Sequence, residues 1–323
     1  MWLQYLLSFF SVYLVVAVLA SIHALLHVRE SRAAFGWLGL IIVFPIAGAL
    51  LYALFGINRV HRKAQRISED ADQEPLTNPI TLEATDGVLR NRPGYNITGQ
   101  RVVAGNNVTT LHNGEQAFPA MLEAIDAATR EVLLSSYIFD NDDTGRLFVE
   151  KLVAARDRGC AVNVLVDDVG RRYSFPTIVP ELKKHGIPHR RFMPLKLIPP
   201  SFSINLRTHR KVLVTDRNLA FAGGMNIGDR QLVHGDSSHR ASDIHFRFEG
   251  PIIGEFVDLF TDDWKFSRGE PPKDWQAEIP EGGQASCRLI TDGPDDTLDS
   301  MMLVIMGAIA SARSRVWIMT PYF

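Results

Sequence analysis

Apolar positions along this chain fall into two regimes. Trp2 to Leu26 carries no charged residue, and neither does Ala34 to Phe55. Each run exceeds the ~20 residues an α-helix needs to cross a hydrocarbon core. Pro45 inside the second run is tolerated in a membrane helix. Tyr5, Trp37 and Tyr52 lie near the ends of the runs, where aromatic rings favour the interface. The short link His27–Ala33 makes the two runs a two-helix transmembrane hairpin. A cleaved leader fits the first run less well, because it lacks a basic start and a second run follows at once.

Beyond residue 81 the pattern changes to short periodic segments. Phe118, Met121, Leu122 and Ile125 recur at helical spacing within Ala117–Thr129. Val132–Phe139 reads as a strand, Thr144–Arg158 as a helix and Ala161–Val166 as a strand ending in Asp167-Asp168. A short helix is predicted over Ile178–His185, stopped by Gly186. Strands follow at Lys211–Thr215 and Leu219–Ala222, then a helix over Ile252–Lys265. Helices alternating with short buried strands predict an α/β layer architecture. Residues 58–81 run from basic to acidic and are broken by prolines, which reads as a linker.

Charge refines this picture. The formal net charge is −2, which argues against a nucleic-acid partner for the whole molecule. Between Arg171 and Arg217, however, eleven Lys and Arg face only Glu181 and Asp216. Such a bias favours an anionic substrate or an anionic surface. Arg59, Arg62, Lys63 and Arg66 follow the second apolar run, against Arg29 and Arg32 offset by Glu30 in the link. The positive-inside rule then puts the N-terminus and everything after Phe55 in the cytoplasm. Cys160 and Cys287 lie far apart and outline neither a disulfide framework nor a metal site. His234, Asp236, His239, Asp243 and His245 follow no recognised ligand spacing, so no metal and no cofactor is expected.

The richest stretch is Thr208-His-Arg-Lys-Val-Leu-Val-Thr-Asp216, followed by Gly223-Gly-Met-Asn226. A His and a Lys two residues apart on a strand face the same way. An imidazole can attack phosphorus while an ammonium neutralises the non-bridging oxygens. Gly223-Gly224 lets backbone approach a bound group, and Asn226 adds a neutral donor. His209, Lys211 and Asp216 are therefore the catalytic candidates, although Asp216 at a strand end also suits a turn or ion-pair role. Gly224 and Asn226 are the substrate-binding candidates that these residues themselves offer.

The pattern H-x-K-x4-D-x6-G-G-x-N resembles the signature of the phospholipase D superfamily. Features spread along the chain resemble the N-terminal part of its bacterial cardiolipin synthases. They are Trp37–Pro45 and Gly48–Gly56, Tyr137-Ile-Phe-Asp140 with Asp142 and Gly145, Arg207–Lys211, Gly250-Pro251, Phe260-x3-Trp264, and Thr320–Phe323. The resemblance implies phosphatidyl transfer in which two phosphatidylglycerol molecules yield cardiolipin and glycerol, through a phosphohistidine-type intermediate and without a metal. It implies that His209 is the nucleophile or general acid/base, that Lys211 binds phosphate oxygens, that Asn226 lines the pocket, and that Asp243 orients a histidine. It further implies a multi-pass protein of the bacterial inner membrane that meets phosphatidylglycerol and anionic lipid. Hydrolysis of a phosphodiester by the same chemistry is the alternative, or an inactive, truncated lipid-binding fragment.

A shift of 184 residues lays Ala124-Ile125 on Ala308-Ile309, Ala128 on Ala312, Val132 on Val316 and Phe139 on Phe323. Both segments read as a helix followed by an apolar strand. The domains expected are a transmembrane hairpin (1–57), a linker (58–81), a first phospholipase D-like α/β half (82–285) and the start of a second (286–323). The family chemistry asks for two histidines and one motif supplies one. The chain alone is expected to be inactive, with the second catalytic half supplied in cis or by a homodimer.

Overall fold

The computed structural model describes residues 2–28, 31–57, 98, 100–194, 208–234, 240–278, 282–291 and 300–320. The linker 58–81 and residues 195–207, 235–239 and 321–323 lie outside the described residues. The chain divides into two compact units, one carrying the N-terminal helices and one carrying a sheet.

In the N-terminal unit, α1 (Trp2–His27) packs against α2 (Ser31–Val43) and α3 (Pro45–Leu51), which passes into a π-helical turn, Tyr52–Gly56. The second apolar run is thus not one continuous helix, as its composition suggested. Proline pushes the preceding residue out of the helical region, and Phe44 sits at φ −129°, ψ 71°. The break lets α3 close on the end of α2, where a Cβ on Gly48 would come within 2.5 Å of the Leu40 carbonyl oxygen. Ala24, Ile41 and Tyr52 form the small core, and Tyr52 shares a 2.7 Å hydrogen bond with His23 Nδ1. Leu14, Leu19, Leu26, Phe35, Ile42 and Val43 point outward. Among the described residues no helix is long and apolar enough to cross a membrane. α1 runs 26 residues, but its side chains at 3, 6–10 and 12 are outside the described set.

The second unit is a mixed sheet with helices on both faces. Its elements are β1 (Val103–His112), α4 (Asn113–Ala127), β2 (Glu131–Ser136), α5 (Asp143–Asp157), β3 (Ala161–Asp167), α6 (Val179–Lys184), β4 (His189–Phe192), β5 (Val212–Thr215), β6 (Leu219–Gly223), β7 (Ile244–Glu249), α7 (Ile253–Phe266), β8 (Ala285–Cys287) and α8 (Ser300–Ser311). Among the described residues the strand order is β4-β3-β2-β5-β6-β7-β1-β8. β2, β3 and β4 run parallel, joined by crossovers through α5 and α6, and every other pairing is antiparallel.

Strand alternation divides the side chains between the two faces. Val132, Leu134, Val164 and Leu213 join Phe118, Ile125, Phe148 and Leu152 of α4 and α5 in the main core. α7 covers the other face along β2, β4, β5 and β6, with Phe266 stacked on Phe192. Burying a side chain such as Phe148 or Leu152 contributes about 1.5–3 kcal/mol. Asp142 caps α5 by accepting from Gly145 N at 2.9 Å.

Other expectations shift in detail. The ladder of β2 ends at Ser136, and Phe139 instead makes a single bridge to Ile227. The strand expected at Val316–Met319 is not part of the sheet among the described residues, although α8 before it is helical. A strand needs a hydrogen-bonding neighbour, and Trp317 and Met319 lie open to solvent.

Candidate phosphoryl-transfer site

The site forms at the rim of the sheet where β2 ends and β5 begins. His209 precedes β5, and its imidazole is solvent-accessible, with the Tyr137 ring 4.7 Å away. Lys211 is only 5% exposed. Its ammonium donates to the His209 carbonyl oxygen at 2.6 Å and lies 5.2 Å from the centre of the Tyr137 ring. Burial lowers the Lys211 pKa to about 7, against the opposing pull of Asp243 and Asp167. Partial burial and then the Lys211 charge lower the His209 pKa as well, so its imidazole is neutral at pH 7.

Gly223 and Gly224 are required here for a visible reason. A Cβ at Gly223 would meet His245 Nδ1 at 2.7 Å, and one at Gly224 would meet the Asp243 carboxylate at 2.4 Å. The glycine pair therefore admits the start of β7, with Gly223 opposite His245 in register. Asp243 is fixed from both sides. Its backbone N donates to Asn113 Oδ1 at 3.0 Å, and its Oδ1 accepts from Ile244 N at 2.7 Å. Asn226 spends its Oδ1 on Ile138 N at 3.0 Å, which holds the Ile138–Asp140 segment beside Ile227.

Asp216 is the exception among the predicted catalytic residues. It stands at the far end of β5, in a turn where Asp216 and Arg217 both have positive φ. Its carboxylate accepts from Thr129 N, Thr129 Oγ1, Arg130 N and Glu131 N at 2.8–2.9 Å. Burial would raise its pKa, but those bonds outweigh it and the pKa is lowered. Asp216 ties the α4–β2 connection to the β5–β6 turn and is corrected from a catalytic to a structural residue.

The sequence reading considered His245 only as part of a metal cluster and set it aside. It is 1% exposed, neither ring nitrogen has a hydrogen-bond partner among the described residues, and burial followed by the Lys211 charge takes its pKa to about 4. A signal for it existed in the alternation Ile244-His-Phe-Arg-Phe-Glu249, which has the period of a strand and puts His245 on one face with Arg247. Among the described residues no group of three or more His, Cys, Asp or Glu side chains could hold a metal ion.

A neutral imidazole open to solvent, beside a desolvated lysine half-charged near neutrality, is equipment for handling a phosphodiester. Comparison with known proteins agrees. Residues 121–264 match the family model described as cardiolipin synthase, PLD-like domain, and residues 15–56 match that described as phospholipase D-nuclease N-terminal. The cardiolipin synthase of Geobacillus kaustophilus is 30% identical over 100% of this chain and 67% of its own length. Cardiolipin synthase A of Pseudomonas syringae is 30% identical over 94% of this chain and 66% of its own. A crystal structure of the phospholipase D family member Nuc from Salmonella typhimurium covers 52% of this chain and 99% of its own, at 20% identity and a TM-score of 0.40. The chain belongs to the bacterial cardiolipin synthase family of the phospholipase D superfamily. It spans about two thirds of the length of the curated relatives it matches.

Proposed function

We propose that this chain carries one catalytic half of a cardiolipin synthase, which transfers a phosphatidyl group from one phosphatidylglycerol to another. The carrying observation is the pair formed by an accessible, neutral His209 and a buried Lys211 with a pKa of about 7. In this reading the His209 imidazole attacks phosphorus and forms a P–N bond. The P–O bond to the head-group glycerol breaks, and the glycerol leaves with a proton. The hydroxyl of a second phosphatidylglycerol then attacks phosphorus and gives up its proton, breaking the P–N bond and restoring the imidazole.

Lys211 binds the non-bridging oxygens. The phosphodiester anion favours its charged form, so binding raises the fraction of ammonium. Asp243 holds Lys211 partly charged, and Gly224 gives Asp243 room. Asn226 shapes the pocket wall through Ile138. His245 is neutral and buried, which makes it unfit to protonate the departing glycerol. The acid is proposed to be the histidine of a second His/Lys motif, in cis or from a second copy. Residues 1–57 are proposed to anchor the chain in the bacterial inner membrane, with the sheet unit on the cytoplasmic side. The outward apolar side chains of α1–α3 support contact with lipid.

The test uses the whole protein that contains this chain, in mixed micelles of detergent and phosphatidylglycerol. The reading expects cardiolipin and glycerol in equal amounts. Phosphatidic acid as the sole lipid product would replace it with hydrolysis.

A further inference from the structure

A group of aromatic and charged residues beside the catalytic pair has no task in the reaction above. The 3-10 turn Gly170–Tyr173 and the loop after it follow β3. Tyr137, whose ring lies against His209, also packs at 6.2 Å against the ring of Tyr173. Two residues on, Phe175 is 97% exposed. Arg171 and Arg172 of the same turn and Arg191 of β4 converge on one buried carboxylate, Asp168, at 2.9, 3.3 and 3.2 Å. One acid beneath three guanidinium groups leaves the surface with a net charge of about +2, since arginine stays charged at any working pH.

A fully exposed phenylalanine is unfavourable in water, and a tyrosine prefers an interface with one apolar and one wet side. Arginines flanking such rings suit lipid phosphates, and the bilayer interface offers the rings an apolar medium beside those phosphates. We propose that Tyr173 and Phe175 enter the head-group region of an anionic bilayer, with Arg172 and Arg191 on lipid phosphates. This docks the rim bearing His209 on the membrane that supplies its substrate. The inference rests on the proposed membrane reading and adds which surface meets the lipid.

The test places an environment-sensitive nitrobenzoxadiazole label at Phe175→Cys in the whole protein that contains this chain, with Cys287→Ser and any accessible cysteine outside this chain replaced; Cys160 is buried and escapes labelling. The protein is reconstituted into phosphatidylglycerol-containing vesicles and, separately, into phosphatidylcholine vesicles. A label at the exposed Asp157→Cys, at the other end of α5, is the control. The 175 label should shift to the blue and resist an aqueous quencher in the anionic vesicles only. The shift should weaken in Arg172→Gln/Arg191→Gln, and in salt of about 1 M, where charges are screened beyond roughly 3 Å. An unaltered melting temperature of the double variant separates lost docking from lost folding; if that variant unfolds, the salt series carries the same test. A label that stays aqueous in both vesicles overturns the proposal, as does an equal shift in neutral vesicles. If the labelled protein still converts phosphatidylglycerol while its label remains aqueous, the docking surface is wrong and the catalytic reading stands.

Discussion

Lys211→Met should make the protein more stable and inactive at once. Below pH 7 the folded chain holds a charged ammonium in a site that is 5% exposed. Lowering its pKa from 10.5 to about 7 corresponds to roughly 5 kcal/mol against the charged form. Methionine fills similar space without the charge. Against this gain stand the bond to the His209 carbonyl, worth about 1.5–3 kcal/mol, and the contact with Tyr137, worth about 0.5–1 kcal/mol. The net is a gain of roughly 1–3 kcal/mol, or about 2–12 °C in Tm for a unit of this size. The sign fixes the pH dependence. The folded pKa is depressed below the unfolded one, so between pH 7 and about 10.4 the unfolded chain binds more protons and wild-type stability rises with pH. The penalty is fully present below pH 7. Thermal unfolding in detergent at pH 6, 7.5 and 9 measures this. Lys211→Met should gain most at pH 6 and converge on wild type as pH rises. A variant melting lower than wild type at pH 6 would refute the reasoning, because Lys211 would then be stabilised in its charged form.

Three further predictions concern neighbouring residues. His209→Ala should leave Tm unchanged, since the imidazole is exposed, yet abolish phosphatidyl transfer; circular dichroism and the lipid assay together check this. Asp216→Ala should cost about 2–4 kcal/mol through the loss of four hydrogen bonds to a charged acceptor, with kcat retained. Because the folded Asp216 pKa is lowered, its contribution is present at neutral pH and fades as pH falls through the acid range, so wild type and variant should converge there in a melting series. His245→Phe should remove an acid sensitivity. A buried His with a folded pKa of about 4 and an unfolded one near 6.5 costs roughly 3 kcal/mol once both forms are protonated. Stability lost by wild type between pH 6.5 and 4 should therefore be smaller in the variant, as read by denaturant titration.

Much of this architecture was legible because its core elements are periodic. The α4 and α5 stripes, the apolar runs of β2, β3 and β5, and the fixed spacing from His209 to Asn226 all announce themselves. β1, β4, β7 and β8 did not. β1 reads Val-Ala-Gly-Asn-Asn-Val-Thr-Thr-Leu-His and β4 reads His-Arg-Arg-Phe, so their places come from ladder bonds to neighbours, which composition does not encode. The site divides along the same line. His209 and Lys211 lie two apart in sequence and were read as a pair on one strand, whereas both stand just ahead of β5, which begins at Val212. Asp216 shares their motif but stands one strand length away, at the opposite end of β5. His245 and Asp243 reach the site only through the pairing of β6 with β7, a contact the sequence spreads over twenty residues. The glycine pair was noticed for its lack of side chains, yet what fills the space is protein, the Asp243 carboxylate and the His245 ring.

The central claim is that His209 performs the transfer. Its most direct test is conversion of labelled phosphatidylglycerol by the whole protein containing this chain, expressed in cells that lack any other cardiolipin synthase, beside the His209→Ala form at matched membrane abundance. The account predicts labelled cardiolipin and glycerol from the first and neither from the second. Cardiolipin made at a comparable rate by His209→Ala would contradict it.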